Sequence, residues 1–289
     1  MNTNWWTQRG GLDGTVAIIT GGAGGLGEAI TLDLVANGGR VALIDRNADA
    51  VSAIREKLDG LGADAIVQLG DARNRSSLET LFSAANNKWG RLDFLVNVVG
   101  GTFKAAFADT NERGWDALLR TNLDHVLHAC SLAIPAIRAG GRGGSIVNLT
   151  TIEAHRAAPN FAVYSAAKAA VSHFARSLAV ELAPDAIRVN NVAPDITPTP
   201  VMIGIGNDSS TYMDPIGAQI ALPMGRVGVP EDVSGAVVFL LSGLSRYITG
   251  TTLHPDGGTF AASGWFNWPG SGFANTVPPS VLDALRSHP

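Results

Sequence analysis

The chain has 289 residues, of which 46% are hydrophobic and 16% charged, and its formal net charge is −4. This composition is too apolar for a disordered chain, and the small negative charge argues against nucleic acid or an anionic membrane as a partner. The single cysteine, Cys130, excludes a disulfide within the chain, and the N-terminal segment has neither a signal peptide nor a transmembrane run. We therefore expect a cytoplasmic protein with no membrane association.

Short β-branched runs alternate with longer helical patterns along the chain. The predicted strands are residues 16–20, 41–45, 65–68, 92–99, 145–149 and 187–192 and a stretch near residue 253. The predicted helices include residues 27–36, 48–58, 77–89 and 161–182. Because the strands are apolar almost throughout, both faces of their sheet must be covered. The pattern predicts an α/β fold, a doubly wound, seven-stranded parallel sheet with helices on both faces.

The chain shows no internal repeat and no low-complexity linker, so we expect one dinucleotide-binding and catalytic domain over residues 1–289. Three segments fall outside the rhythm of strands and helices, residues 1–13, 197–223 and 262–289, and the simplest expectation for each is a surface loop. Residues 197–223 follow the sixth strand, where open α/β sheets bind ligands, and are predicted to be a substrate-loop insertion. Residues 262–289 are predicted to be a C-terminal extension. Its aromatic residues and those at the N-terminus are expected to serve packing or a subunit interface: Trp5, Trp6, Trp265 and Trp268.

A glycine-rich turn, TGGAGGLG at residues 20–27, joins the first strand to the first of the predicted helices. Glycines let the backbone approach a pyrophosphate, and the following helix offers it free N–H groups and a positive dipole end. Asp45 ends the second strand, 18 residues after Gly27, where an acid is expected to hold the ribose diol of NAD. Asp45 thus predicts NAD rather than NADP. The adjacent cation Arg46 is the one residue that argues for NADP instead.

The chain carries this turn together with YSAAK at residues 164–168 and DGG at residues 256–258. In this combination it resembles the short-chain dehydrogenase/reductase family across about residues 11–262. TGGAGGLG looks like the family's TGxxxGxG, and NVVG at residues 97–100 stands where the family usually has NNAG. The resemblance implies a Rossmann-like three-layer α/β/α fold and a catalytic set of Asn122, Thr151, Tyr164 and Lys168. Thr151 replaces the usual serine and keeps its hydroxyl.

The same resemblance implies the residues that contact the ligands. Cofactor binding is expected at Gly21, Gly24, Gly25, Leu26, Gly27, Asp45, Arg46, Asp71, Ala72, Asn97, Val98, Tyr164, Lys168, Pro194, Ile196, Thr197 and Thr199. Substrate binding is expected at Thr151, Glu153, Tyr164 and Asp195, with His155 also at the mouth of the site. Asp195 stands where the family usually has glycine, which places a carboxylate near the nicotinamide end of the cofactor.

Tyr164 and Lys168 are four residues apart, so they share one face of a helix. A nearby ammonium and the positive nicotinamide should lower the pKa of Tyr164, which then takes the alcohol proton or returns it in the reverse reaction. By resemblance, Lys168 also binds the nicotinamide ribose, and Asn122 holds a water that relays protons to it. His125 and His128 have no partners for a metal site, so we predict no metal and expect them at the surface or an interface.

These features predict an NAD-dependent oxidoreductase that interconverts a secondary alcohol and a ketone, on a hydrophobic or cyclic substrate such as a steroid or terpenoid. The apolar side chains of the substrate loop support this choice: Met202, Ile203, Ile205, Tyr212, Met213, Ile216 and Ile220. The alternatives are a 3-oxoacyl thioester reductase and, in another class, a non-catalytic dinucleotide sensor. The resemblance also implies a homotetramer, paired through helices such as residues 121–137.

Overall fold

The computed structural model describes residues 5–199 and 214–287. Its main sheet contains β1 (Val16–Thr20), β2 (Arg40–Asp45), β3 (Ala65–Leu69), β4 (Phe94–Asn97), β5 (Gly144–Leu149), β6 (Ile187–Val192) and β7 (Thr252–Leu253). The helices are α1 (Trp5–Gly10), α2 (Leu26–Ala36), α3 (Ala48–Gly60), α4 (Arg75–Trp89), α5 (Glu112–Leu119), α6 (His125–Gly140), α7 (Ala162–Glu181), α8 (Pro215–Ala221), α9 (Pro230–Leu241), α10 (Thr259–Ala262) and α11 (Pro279–Ser287). A short antiparallel hairpin, β8 (Phe266–Trp268) and β9 (Gly272–Ala274), lies in the tail.

The seven strands of the main sheet are all parallel, in the order β3-β2-β1-β4-β5-β6-β7. From β1 the chain adds β2 and β3 on one side of the sheet, and then crosses back to place β4 on the other side of β1. The order in which strands are added therefore reverses between β1 and β4. Register brings Thr20 opposite both Ile44 and Asn97. The ends of β1, β2 and β4 therefore meet at one edge, which is the ligand edge of such sheets. The predicted doubly wound, Rossmann-like fold is confirmed.

Two apolar layers cover the faces of this sheet. On one face, α4, α6 and α7 pack on strand residues such as Ile18 and Ile146. On the other face, α2, α3 and α9 pack on residues such as Ile19 and Val147. Neighbouring residues of a strand point to opposite faces, so a strand covered on both sides must be apolar throughout. In the described part of the chain, no helix is long and apolar enough to cross a membrane.

The boundaries differ from the predictions in two places. The predicted strand 92–99 is shortened to Phe94–Asn97. Beyond it, the N–H of Val98 donates to both the carbonyl and the hydroxyl of Thr20, at 3.1 and 3.2 Å, and the chain then turns away. In the tail, residues expected to form a loop instead make the β8–β9 hairpin, and β8 packs on α8 at the end of the substrate loop.

A chain of buried amides crosses the middle of the sheet. The amide nitrogen of Asn97 donates to Asn148 at 2.9 Å, and that of Asn148 donates to Asn191 at 3.2 Å. Asn191 in turn donates to the hydroxyl of Thr252 at 3.4 Å. All three asparagines are nearly inaccessible to solvent. Side chains on four neighbouring strands therefore satisfy one another where water cannot, which ties the register of β4, β5, β6 and β7 together.

Asn148→Ala should lower the free energy of unfolding by roughly 2–4 kcal/mol, because it leaves the Asn97 amide and the Asn191 carbonyl unpartnered inside the sheet. Urea unfolding followed by circular dichroism measures this loss. The exposed Asn87→Ala in α4 is the control and should stay within about 0.5 kcal/mol of the wild type. Equal stability of the two variants would show that the amide chain contributes little.

Candidate active site

The glycine turn between β1 and α2 leaves no room for larger side chains. A Cβ atom on Gly27 would lie 1.8 Å from the carbonyl oxygen of Gly21, and one on Gly22 would lie 2.7 Å from Cβ of Leu43. Gly25 has φ +54° and immediately precedes α2. The turn is therefore tight, and it leads directly into the N-terminus of a helix, the geometry that holds a pyrophosphate. Gly24 and Leu26 complete this cradle.

Asp45, the last residue of β2, reaches back to this turn. One carboxylate oxygen accepts the N–H of Ala23 at 3.3 Å and the other accepts the N–H of Asn47 at 3.0 Å. Arg46 follows and is exposed. The carboxylate is thus anchored at the rim of the cradle, the position expected of an acid that holds a ribose diol.

Asp71, which follows β3, is bound by a neighbour that the sequence analysis did not single out. The guanidinium of Arg73 donates to both of its oxygens, at 2.6 to 3.0 Å, and the Arg73 N–H donates to it at 2.9 Å. This hydrogen-bonded arginine lowers the pKa of Asp71, and the more distant Arg46 adds to the effect. Ala72 is buried beside the pair. By the family resemblance, Asp71 is the acid expected to cap the adenine. This end of the site therefore carries two cations, Arg46 and Arg73.

Asn97 and Val98 occupy the floor of the site at the end of β4. The Asn97 side chain is buried and directed to Asn148, and its Oδ1 has no hydrogen-bond partner. The N–H of Val98 is bonded to Thr20. These two residues hold β1, β4 and β5 together at the edge where the predicted cofactor residues lie.

Asn122 lies in a π-helical turn, Arg120–Asp124, between α5 and α6. Its amide nitrogen donates to the carbonyls of Gly101 and Leu118, at 2.8 and 2.9 Å, and its Oδ1 accepts the N–H of Gly101 at 3.2 Å. The π turn widens the helix there, and the side chain supplies partners to backbone groups at that point. Asn122 is thereby fixed against the loop that follows β4.

Lys168 points from α7 into the same place. Its ammonium donates to the Leu149 carbonyl at the end of β5, at 2.8 Å, and the side chain is buried. A Cβ atom on Gly100 would lie 3.2 Å from Lys168 Nζ and 3.3 Å from Asn122 Oδ1. The two predicted catalytic groups therefore converge on a position that only glycine leaves open. Burial lowers the pKa of Lys168 to about 8.

Thr151 and Tyr164 are brought together by the turn after β5 and the first turn of α7. Burial raises the pKa of Tyr164 to about 12, the hydrogen bond from Thr151 opposes this, and the charge of Glu153 adds to it. The expected lowering of this pKa by Lys168 is therefore wrong for the protein's own groups, because burial of the phenol outweighs the groups that favour its charged form. Thr151 also accepts the N–H of Glu153 at 3.3 Å.

Glu153 and Asp195 share one cation. Arg156 donates to Glu153 at 2.8 Å and lies 3.7 Å from Asp195 Oδ1. Burial raises the pKa of Asp195, while Arg156 and the hydroxyl of Thr259 lower it. The structure thus places both predicted substrate residues beside Thr151, and adds Arg156. The only sequence signal for Arg156 was its position three residues after Glu153.

The segment after β6 runs toward the glycine turn. Pro194 accepts the N–H of Ile152 at 3.1 Å, and Ile196 accepts the N–H of Gly228 at 2.9 Å. Thr197 is buried, and a Cβ atom on Gly25 would lie 3.1 Å from the Thr199 methyl group. This segment therefore reaches the glycine turn at Gly25.

The position of His125 differs from the prediction. It was expected at the surface or an interface, but its side chain is 1% exposed and both ring nitrogens lack hydrogen-bond partners. Burial and the charge of Lys168 lower its pKa to about 3. It begins α6 on the face packed against the sheet, which its helical position alone did not reveal. Within residues 5–199 and 214–287, no group of three acidic, histidine or cysteine side chains is arranged to hold a metal ion.

Comparison with known proteins identifies the family. The family model described as enoyl-(acyl carrier protein) reductase matches residues 21–259. The 3-oxoacyl-(acyl-carrier-protein) reductase of Thermotoga maritima is 32% identical over 247 residues, which cover 86% of this chain and 98% of that protein. The NADP-dependent (R)-specific alcohol dehydrogenase of Lentilactobacillus kefiri is 32% identical over 249 residues, covering 86% of this chain and 97% of that protein.

Among solved structures, carveol dehydrogenase from Mycobacterium avium in complex with NAD superposes with a TM-score of 0.80 at 29% identity. The match covers 87% of this chain and 99% of that one. Sequence and fold therefore agree, and the chain belongs to the short-chain dehydrogenase/reductase family of nicotinamide-dependent oxidoreductases.

Proposed function

We propose that this protein is an NAD-dependent dehydrogenase that interconverts a secondary alcohol and a ketone on a hydrophobic or cyclic substrate. The observation that carries the proposal is the convergence of Thr151, Tyr164, Lys168 and Asn122 at the edge of the sheet, beside a glycine cradle and Asp45. The proposed dinucleotide lies along this edge, because the tight glycine turn leads into the N-terminus of α2, whose dipole favours a pyrophosphate.

When bound, the nicotinamide supplies the acceptor for the hydride that leaves the alcohol carbon. Thr151 donates a hydrogen bond to the substrate oxygen, and Tyr164 exchanges a proton with it. Lys168 is held by the Leu149 carbonyl and, with a pKa of about 8, can bind or release a proton near neutral pH. Asn122 fixes the loop at Gly101 and so shapes the space into which the Lys168 ammonium points.

Apolar residues on one side of the site support a hydrophobic substrate. Phe103, Phe161 and Val163 line a small cavity beside the start of α7, together with Leu118. The predicted lid residues Met202, Ile203, Ile205, Tyr212 and Met213 lie outside the described residues. Ile216 and Ile220 of the same loop are in α8, where the tail hairpin packs through β8. We propose that residues 197–223 and 262–289 together border the substrate.

Two other functions remain as alternatives. The similarity to the 3-oxoacyl-(acyl-carrier-protein) reductase of Thermotoga maritima supports the first alternative, a 3-oxoacyl thioester reductase. Arg46 and Arg73 near the adenine end favour NADP, whereas Asp45 opposes it. A non-catalytic dinucleotide sensor would not need the four predicted catalytic side chains.

We also propose a homotetramer, supported by the exposed Leu127 on α6 and Val180 on α7, which leave apolar surface on the two helices.

Tyr164→Phe should lower kcat for alcohol oxidation by about 10²- to 10⁴-fold, because it removes the group that exchanges the proton. NADH binding, followed by fluorescence titration, should be retained. Thr151→Ala should also reduce kcat, while Thr151→Ser, which keeps the hydroxyl, is the matched control and should stay near the wild type. Near-normal turnover of Tyr164→Phe would remove Tyr164 from the chemistry.

Glu153→Gln should move the rising limb of the kcat/KM profile for oxidation to lower pH by about half a unit or more. The negative charge of Glu153 raises the pKa of Tyr164, so its removal makes the phenolate easier to form. The pH profile is measured over the range in which the wild type stays folded. Glu181→Gln, at the exposed end of α7, is the control and should leave the limb in place. A shift to higher pH in Glu153→Gln would contradict the assignment.

The cofactor preference should follow Asp45. We expect kcat/KM with NAD to exceed that with NADP by at least about tenfold, which needs only ~1.4 kcal/mol of discrimination. Asp45→Ala should shrink this ratio by removing the repulsion of the extra phosphate. Asp59→Ala, at the exposed end of α3, loses the same charge and should leave the ratio unchanged. Equal efficiencies in the wild type would show that Arg46 and Arg73 govern the pocket.

A further inference from the structure

Three carboxylates gather where β5, β6 and β7 end: Glu153, Asp195 and Asp256. Arg156 contacts Glu153 at 2.8 Å and Asp195 at 3.7 Å. Asp256 accepts the N–H groups of Gly258 and Phe260, at 2.9 and 2.8 Å, so it is occupied by its own loop. One guanidinium therefore faces two carboxylates, and it is closer to Glu153. The region has an excess of negative charge that Arg156 does not balance.

Asp195 is the carboxylate with the fewest partners. Its side chain is 9% exposed, and Oδ2 is buried without a hydrogen-bond partner. A buried carboxylate oxygen left unsatisfied costs free energy, and more than a neutral group does. The Thr259 hydroxyl is close enough to lower the pKa of Asp195, but it donates to the Asp256 carbonyl at 2.8 Å. Oδ2 is therefore left without a donor in hydrogen-bond geometry.

The backbone of Asp195 lies beside the turn that carries Thr151. Ile152, the neighbour of Thr151, donates its N–H to Pro194, the neighbour of Asp195, at 3.1 Å. Asp195 thus follows directly on the bond that joins the end of β6 to the turn carrying Thr151. It also lines a cavity of about 200 Å³, whose other described walls include Met224, Asp256 and the ion pair of Arg226 with Asp232. Because Arg226 is already paired with Asp232, it does not neutralise Asp195. A ligand bound at Thr151 can extend toward this side without crossing the sheet.

We propose that Asp195 forms a subsite for a second hydrogen-bond-donating group on the substrate, a hydroxyl or an ammonium. This inference rests on the proposed function, since Thr151 and Tyr164 bind the oxygen that reacts. The donor on the substrate supplies the partner that Oδ2 lacks, and the surplus of carboxylates repels anionic substrates. The substrate class is therefore a cyclic diol or amino alcohol, with an apolar body that packs on the walls formed by residues such as Met224.

The main competing explanation is that Asp195 only positions Arg156. Two features argue against it. Arg156 is closer to Glu153 than to Asp195, and the unpartnered oxygen of Asp195 is the one that does not face Arg156. A positioning residue would need only the oxygen that faces the guanidinium. Arg156→Gln separates the two explanations, because it removes the cation and leaves Asp195 in place.

The experiment measures kcat/KM with NAD for cyclohexanol, the three positional isomers of cyclohexanediol and the corresponding aminocyclohexanols. The wild type should oxidise at least one diol or amino alcohol about tenfold better than cyclohexanol, equivalent to ~1.4 kcal/mol. Asp195→Ala should bring this ratio close to one. Asp195→Asn distinguishes a hydroxyl donor on the substrate from an ammonium donor. It should remove a preference for amino alcohols, because the charge is lost. It should keep part of a preference for diols, because the amide oxygen still accepts a hydrogen bond.

Asp59→Ala is the matched control for lost charge and should keep the wild-type ratio. Arg156→Gln should keep or increase the ratio for amino alcohols. A ratio near one in the wild type, an unchanged ratio in Asp195→Ala, or an equal loss in Arg156→Gln would each overturn the inference while leaving the proposed function intact. Failure of the wild type to oxidise any of these alcohols would overturn the proposed function and this inference together.

Discussion

The ammonium of Lys168 is buried and donates to the main-chain carbonyl of Leu149, so a charge near the centre of the protein ties helix α7 to the end of strand β5. Other features of the site are arranged around this contact. Gly100 has no side chain where Lys168 Nζ and Asn122 Oδ1 converge, and the π turn carries Asn122 to that point. A buried charge without such partners would be costly, which explains why the surrounding backbone is so closely adapted to it.

The electrostatics of the site follow from burial. Desolvation disfavours a charge of either sign, so it raises the pKa of Tyr164 and lowers that of Lys168. In the protein alone, both groups are therefore biased toward their neutral forms. Glu153 strengthens this bias at Tyr164, and its own charge is shared with Arg156. A ligand that brings charge or hydrogen bonds into the site therefore acts on two groups whose pKa values already differ from those in solution.

The carboxyl ends of the strands divide the edge of the sheet into two electrostatic regions. Near β2 and β3, Asp45 is accompanied by Arg46 and Arg73, and the balance among them bears on which dinucleotide binds. Near β5, β6 and β7, carboxylates outnumber the one contacting cation, Arg156. The same parallel register brings both regions to one edge, so a ligand that spans it meets two carboxylates balanced by two cations at one end and a surplus of carboxylates at the other.

The sequence by itself determined the elements and the architecture. Strands that are apolar almost throughout, separated by helical patterns, require a sheet covered on both faces, and the glycine turn and Asp45 indicated where a dinucleotide would bind. Only the tertiary structure decided which long-range neighbours each polar group meets. Linear spacing could not show that Arg73 would engage Asp71, that Arg156 would lie between two carboxylates, or that His125 would be buried. Those outcomes depend on the packing of helices and on distances between strand ends, and the pKa of Tyr164 depends on burial, which no local pattern specifies.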